Sequence, residues 1–265
     1  MPSEPRGPRL AAWTVYKREI KQYLQSPATY VALILFFVLS GAMFTDIVKK
    51  FVQACTEAQT GATPKPDAMP LNVTESVVTP LFLVLNFVLL FIVPMLTMRL
   101  VAEEKRSGTF ELLVSTPLGG WDILLGKFFA ALTIGAGMLA ICVVYPLICA
   151  FYSNPEGPVV VSCYLGLLFV IISYTAFGLF ASSLSDSQVV AGVLSFVGLL
   201  IFYMVGTIFD AGRLGLIGGA LSIRQHSENF TKGVISLPDV SFFLLFSFFF
   251  LFLTAQILDA RRWRA

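Results

Sequence analysis

The stretch SVVTPLFLVLNFVLLFIVPMLTM (residues 76–98) runs for 23 residues without Asp, Glu, Lys, Arg or His. A helix needs about 20 such residues to cross about 30 Å of hydrocarbon. A soluble helix of this length would carry a polar face, and this one does not. Five further stretches share the property: Pro27–Thr45, Phe128–Ser153, Gly157–Ser185, Ser187–Phe209 and Val240–Leu258. The sequence therefore predicts an all-α polytopic membrane protein with six transmembrane helices.

Composition agrees, with 57% hydrophobic and only 13% charged residues. The longest polar segment, Asp46–Glu75, has 30 residues, whereas a soluble catalytic domain needs about 100. The four cysteines show no metal-binding spacing, and three fall inside predicted spans, where Cys acts as a small apolar residue. The Pro27–Thr45 run is too long for the apolar core of a signal peptide and is expected to remain as an anchor.

Orientation follows from the cations flanking the spans. Of the 18 Lys and Arg, 12 fall on the side holding both termini and the Arg99–Lys127 connection. Both termini are thus expected in the cytoplasm.

Ahead of the first span, residues 9–26 read as an interfacial amphipathic helix. Trp13, Tyr16, Ile20, Tyr23 and Leu24 fall on one face, opposite Lys17, Arg18, Lys21, Gln22 and Gln25. Ser26-Pro27 predicts a break before the span. Pro80, Pro94 and Pro146 predict kinks, and Ser183–Gln188 predicts a tight turn between the fourth and fifth spans. Residues 210–239 are too apolar for a plain loop and too short to cross, and read as an outer re-entrant or interfacial segment.

Catalytic groups are not found. His226 is the single histidine, no span holds a carboxylate, and neither GxSxG nor the P-loop GxxxxGK[ST] occurs. This chain is not expected to be an enzyme, and no metal or cofactor is expected in it. Asn86, Ser173, Tyr174 and Thr175 lie inside spans, where packing hydrogen bonds and pathway lining are the two readings.

The connection RLVAEEKRSGTFELLVSTPLGGWDILLGK (residues 99–127) has helix–turn–helix grammar that a mere linker does not need. Glu103, Glu104, Lys105 and Arg106 follow a span directly, and both glutamates are expected in water. Ser107-Gly108 ends that helical turn, and Trp121 and Asp122 open the next helix. A compact charged helix leaving a membrane suits docking to a soluble partner.

This segment resembles the signature of the ABC-2 type permease family, E-x-x-x-G-T-x-E-L-L-x-x-x-P followed by Gly-Lys. The matching positions are Glu104, Gly108, Thr109, Glu111, Leu112, Leu113, Pro117, Gly126 and Lys127. The stretch YKREIKQYLQSPATYV (16–31) resembles that family's interfacial helix and first span. The tail from His226 to Arg264 resembles the branch associated with gliding motility. The resemblance implies a single permease domain over residues 1–265, in the bacterial inner membrane, working as a dimer with a separate ABC ATPase that carries ATP and Mg. It further implies that Glu103, Glu104, Lys105, Arg106, Gly108, Thr109, Glu111 and Leu112 form a cytoplasmic coupling helix. Lipid and, in members that transmit motion outward, a periplasmic accessory protein are the other partners implied; nucleic acid is not. The alternative is a non-transporting anchor or mechanotransmission subunit of a periplasmic machine.

Overall fold

The computed structural model describes residues 8–60, 72–106, 108, 119–208 and 218–262. Helix α1 (Pro8–Gln25) stops at Ser26, whose extended backbone (φ −87°, ψ 123°) precedes Pro27 at the start of α2 (Pro27–Gln59). Proline suits that position because the first helical N–H groups have no intrahelical partner. After residue 72, a wider π-type turn (Thr74–Val78) leads into α3 (Thr79–Thr97) and α4 (Arg99–Arg106). Then follow α5 (Gly120–Cys142), α6 (Val144–Tyr152), α7 (Gly157–Leu184), α8 (Gln188–Ile208), α9 (Ile223–Thr231) and α10 (Leu237–Arg262).

Among the described residues six helical stretches are long and apolar enough to cross a membrane: Pro27–Ala58, Thr74–Arg106, Gly120–Tyr152, Gly157–Leu184, Gln188–Ile208 and Leu237–Ala260. Among the described residues there is no strand, so the all-α polytopic architecture holds. Several boundaries move, for one reason. A charge ends an uncharged run without ending a helix. α2 continues through Asp46 and Lys50, which pair at 2.7 Å one turn apart. About half of the polar segment Asp46–Glu75 is thus helix, with Ile47 buried. The third span begins at Gly120 rather than Phe128, because Lys127 is buried inside the helix and Asp122 caps its start, accepting from the Gly119 N–H at 3.2 Å.

The prolines act unequally. Pro146 has no N–H for the Cys142 carbonyl, and the third span is interrupted one turn earlier at Val143, between α5 and α6. The second span is interrupted at Met98, just past Pro94. Pro80, by contrast, sits in the first turn of α3 and produces no interruption there. The turn between α7 and α8 spans only residues 185–187, where the Ser187 N–H donates to Ser185 Oγ at 3.1 Å.

α7 is the hub, touching α3, α4, α5, α8, α9 and α10. Lipid tails are as apolar as leucine, so helices in a bilayer associate through close packing and hydrogen bonds rather than hydrophobic transfer. Glycines supply the closeness. A Cβ on Gly178 would lie 2.1 Å from Thr97 Oγ1, and one on Gly166 would lie 2.7 Å from Phe230 Cβ. Ser173 Oγ supplies a polar tie, meeting Ser247 Oγ of α10 at 3.1 Å.

Gly178→Ala is expected to destabilise the protein by about 1–3 kcal/mol through overpacking, read as a lower thermal midpoint in detergent. Thr97→Ala, which removes the nearest clashing atom, should recover part of that loss in the double variant. Additive losses would show that the two helices do not meet there.

Candidate functional site: a buried ion cluster at one end of the bundle

The buried face of α1 is the stripe Val15, Glu19, Tyr23, spaced four residues apart. It packs on α5 at Gly126, where an added Cβ would lie 2.7 Å from Val15 Cβ and 3.0 Å from the Ala12 carbonyl oxygen. Only glycine lets the two backbones come this close. Ile20 and Tyr16 are half-buried beside the stripe, with Tyr16 hydroxyl 3.1 Å from Thr133 Oγ1. Trp13 points outward at 53% exposure, stacked on Tyr16, with the Lys17 ammonium 5.3 Å over its ring. Arg18 and Lys21 are also exposed. The helix is amphipathic as expected, but the face differs: Trp13 and Leu24 lie outside, and Glu19 lies within.

Glu19 is 4% exposed, Glu104 of α4 5% and Lys127 of α5 2%. Lys127 Nζ lies 2.8 Å from Glu19 Oε1 and 2.9 Å from Glu104 Oε1, so one ammonium bridges two carboxylates from two other helices. The half-exposed Arg18 adds a contact to Glu104 at 3.4 Å. Charges removed from water persist only when paired at such distances. Glu104 therefore does not lie in water, contrary to the sequence expectation, because its partner Lys127 is inside the helix bundle.

The neighbouring groups secure the same junction. Arg99 donates to Ser26 Oγ and Thr29 Oγ1 and stands 4.6 Å over the Tyr23 ring. Tyr23 hydroxyl donates to the Leu96 carbonyl at 3.0 Å. Burial, opposed by the Arg99 charge, raises the Tyr23 phenol above its usual range and keeps it a donor. Where the helix is interrupted at Met98, Ser182 of α7 substitutes for a missing N-cap. Its Oγ accepts from the Val101 and Ala102 N–H groups, each at 3.1 Å, and donates to the Met98 carbonyl at 2.9 Å. Lys105 donates to the Ser183 carbonyl and lies 3.7 Å from Asp186, at the negative end of α7.

Of the eight residues assigned to the coupling segment, Glu104 and Lys105 turn inward, Glu103 is half-buried and Arg106 is exposed. Gly108 follows the helix end with φ +69°, a left-handed conformation that favours glycine. Thr109, Glu111 and Leu112 lie outside the described residues. Glu19, Tyr23, Arg99, Lys127 and Ser182 complete the junction and were not singled out as a site. Lys127 could have been found as a lysine about two turns inside the third spanning helix, whereas Glu19 among Lys17, Arg18 and Lys21 gives no such signal.

The intramembrane polar residues form separate ties. Tyr174 hydroxyl donates to Asn86 Oδ1 and Asn86 Nδ2 donates to Ser227 Oγ, both at 2.9 Å, joining α7, α3 and α9. Ser173 faces α10, and Thr175 is 1% exposed. These bonds are internal to the chain.

A family model described as ABC-2 family transporter protein matches residues 13–257. No curated protein matches the chain. The match takes in α1 from Trp13, the first five spans, the sixth as far as Ile257 and the ion cluster, and permeases of this family work with ABC ATPase partners in general. This chain belongs to the ABC-2 transporter family and is a multi-pass membrane permease component.

Proposed function

We propose that the chain is the permease subunit of an ATP-driven ABC exporter in the bacterial inner membrane, working as a dimer with a separate ATPase that carries ATP and Mg. The branch is the one associated with gliding motility, on the strength of the tail sequence. The observation that carries this reading is the anchoring of α4. A short charged helix follows a span and is held by Lys127 to α1 and α5, and by Ser182 to α7. A push on α4 would be passed to three helices at once, as coupling to an ATPase demands. ATP must favour one conformation over the other for that push to do work.

The roles divide on this reading. Glu104 and Lys105, which turn inward, are the internal tether. Glu103, Arg106 and Gly108, with Thr109, Glu111 and Leu112 on the strength of the sequence motif alone, are the face for the ATPase. Trp13, Lys17, Arg18 and Lys21 on the outward face of α1 sit at headgroup depth, with cations towards anionic lipid. Asn86, Ser173, Tyr174 and Thr175 hold the spans together.

Charge reversal at Glu103 and Arg106 (E103K with R106E) is expected to leave membrane insertion and yield unchanged while weakening copurification of an ABC ATPase. Truncating one partner of a buried interface pair costs about 2–5 kcal/mol, whereas a rim pair matters little. Unchanged copurification and unchanged ATP hydrolysis in the reconstituted complex would remove the coupling assignment. Hydrolysis that responds to no added lipid or small molecule, with docking intact, would favour the mechanotransmission alternative.

Lys127→Met strands two buried carboxylates and is expected to cost about 3–5 kcal/mol, read by thermal unfolding. Replacing Glu19 and Glu104 by Leu in the same chain should restore much of that stability. A neutral effect of the single change would mean that the cluster does not form.

Both termini are expected in the cytoplasm. In a background with Cys55 replaced by Ser, cysteines placed at Asp67 and Glu156 should react with an impermeant reagent added outside intact cells. Those at Arg106 and Arg264 should be protected, and the opposite pattern reverses the topology.

A further inference from the structure

At the other end of α7 the structure holds a second polar cluster, unrelated to the ion cluster. Gly166, which meets α9, and Ser182 are 16 residues apart, about 24 Å along a helix. The central residue is His226 of α9. Its Nδ1 lies 2.6 Å from Asp239 Oδ1 at the start of α10, and its Nε2 lies 3.3 Å from the Ala220 carbonyl oxygen just before α9. The ring stacks on Phe242 with centroids 4.1 Å apart and an interplanar angle of 17°. The side chain is 17% exposed and that of Asp239 is 4% exposed.

Both atoms facing the imidazole are acceptors. A backbone carbonyl has no hydrogen to give. The Asp239 carboxylate already accepts on Oδ2 from Asn229 Nδ2 at 2.8 Å and from Ser236 Oγ, which marks it as ionised. A neutral imidazole has one N–H and can satisfy only one of the two acceptors; the imidazolium satisfies both.

Among the described residues, the remaining ionisable groups do not compete for the ring. On α9 itself Arg224 and Glu228 pair with each other at 3.1 Å, and Lys232, beyond the helix, is exposed. From α7 come Tyr174, bonded to Asn86, and the Cys163 thiol, turned to the Phe230 carbonyl at 3.7 Å. From α8 comes Tyr203, whose charged neighbours are Arg224 and Glu228. α3 has no ionisable side chain.

We propose that His226 is a proton-operated clasp that in its doubly protonated form ties the start of α9 to the start of α10. Loss of the proton removes one of the two N–H donors. The ring then keeps either Asp239 or the Ala220 carbonyl and releases the other. Because α9 is wedged against α7, α8 and α3 through Phe230, Ser227 and the Ser222 cap, the acidity at this end of the bundle controls how firmly it is seated.

The chain contains a single histidine, so the ring can be read without assignment. The full-length protein, labelled with 15N-histidine and reconstituted in lipid bilayers, is measured by solid-state NMR in mildly acidic and mildly alkaline buffer. Two protonated ring nitrogens are expected in acid and one in alkali. Asp239→Asn should show the one-proton ring in acid, where the unaltered chain still holds two. Hydrogen exchange of residues 223–231, corrected for intrinsic rates, should quicken about tenfold from acid to alkali. His226→Gln should exchange alike in both buffers. A ring with one proton throughout the acidic range, or exchange with the same pH response in His226→Gln as in the unaltered chain, would overturn the clasp.

Discussion

An ammonium group taken out of water is tolerated only where carboxylates close around it, and the placing of Lys127 inside α5 imposes that demand on the whole end of the bundle. Glu19 reaches it only because α1 lies against α5 at the Val15–Gly126 contact, too close for any side chain larger than hydrogen. Glu104 reaches it only because α4 presents Leu100, Val101 and Glu104 inward. Between α3 and α4 lies the interruption at Met98, whose backbone stays in the helical region (φ −53°, ψ −31°). The interruption leaves amide groups without partners, and Ser182 is there to take them. One buried charge thus dictates a helix contact, beside a helix break capped from a fourth helix.

The opposite end works by different means. Among the described residues no buried lysine organises it. Phe230 fills the space against Gly166, and Asn86 bridges Tyr174 and Ser227 across three helices. Between the two ends, phenylalanines from α7, α8 and α10 interlock, with Phe177 and Phe250 at 4.8 Å and Phe202 and Phe246 at 5.1 Å, both edge to face. Aromatic edges give directional packing where the hydrophobic effect between helices is weak.

The spans were legible because desolvation of the backbone leaves few solutions in lipid, and long uncharged runs betray them. Their ends were less so, since Asp46, Lys50 and Lys127 stop an uncharged run while the helix goes on. The break at Ser26-Pro27 followed from the limit proline puts on the backbone of the residue before it, and the role of Pro146 from its missing N–H, and both were visible in advance. The direction of Glu104 was not. Whether a glutamate beside a membrane exit faces water or protein depends on a cation 23 residues later in the chain, and periodicity within one helix carries no trace of it. Glu19 was hidden for the same reason: a single acid among Lys17, Arg18 and Lys21 reads as surface charge balance until α5 is packed against it. Ser182 gives no sequence signal as a cap, because it caps a helix some 80 residues away rather than its own.

That Ser182 hydroxyl has one hydrogen and two lone pairs, and all three are engaged by the Met98 turn. Its saturation limits where the permease can flex. Swivelling α4 about Met98 independently of α7 would leave two amides and a carbonyl unsolvated in a water-poor interface, a heavier penalty than moving intact helices past each other. Met98 is therefore a weld rather than a pivot. Displacement of α4 carries the α7–α8 hairpin with it, and the give in the molecule falls to interfaces bonded less completely.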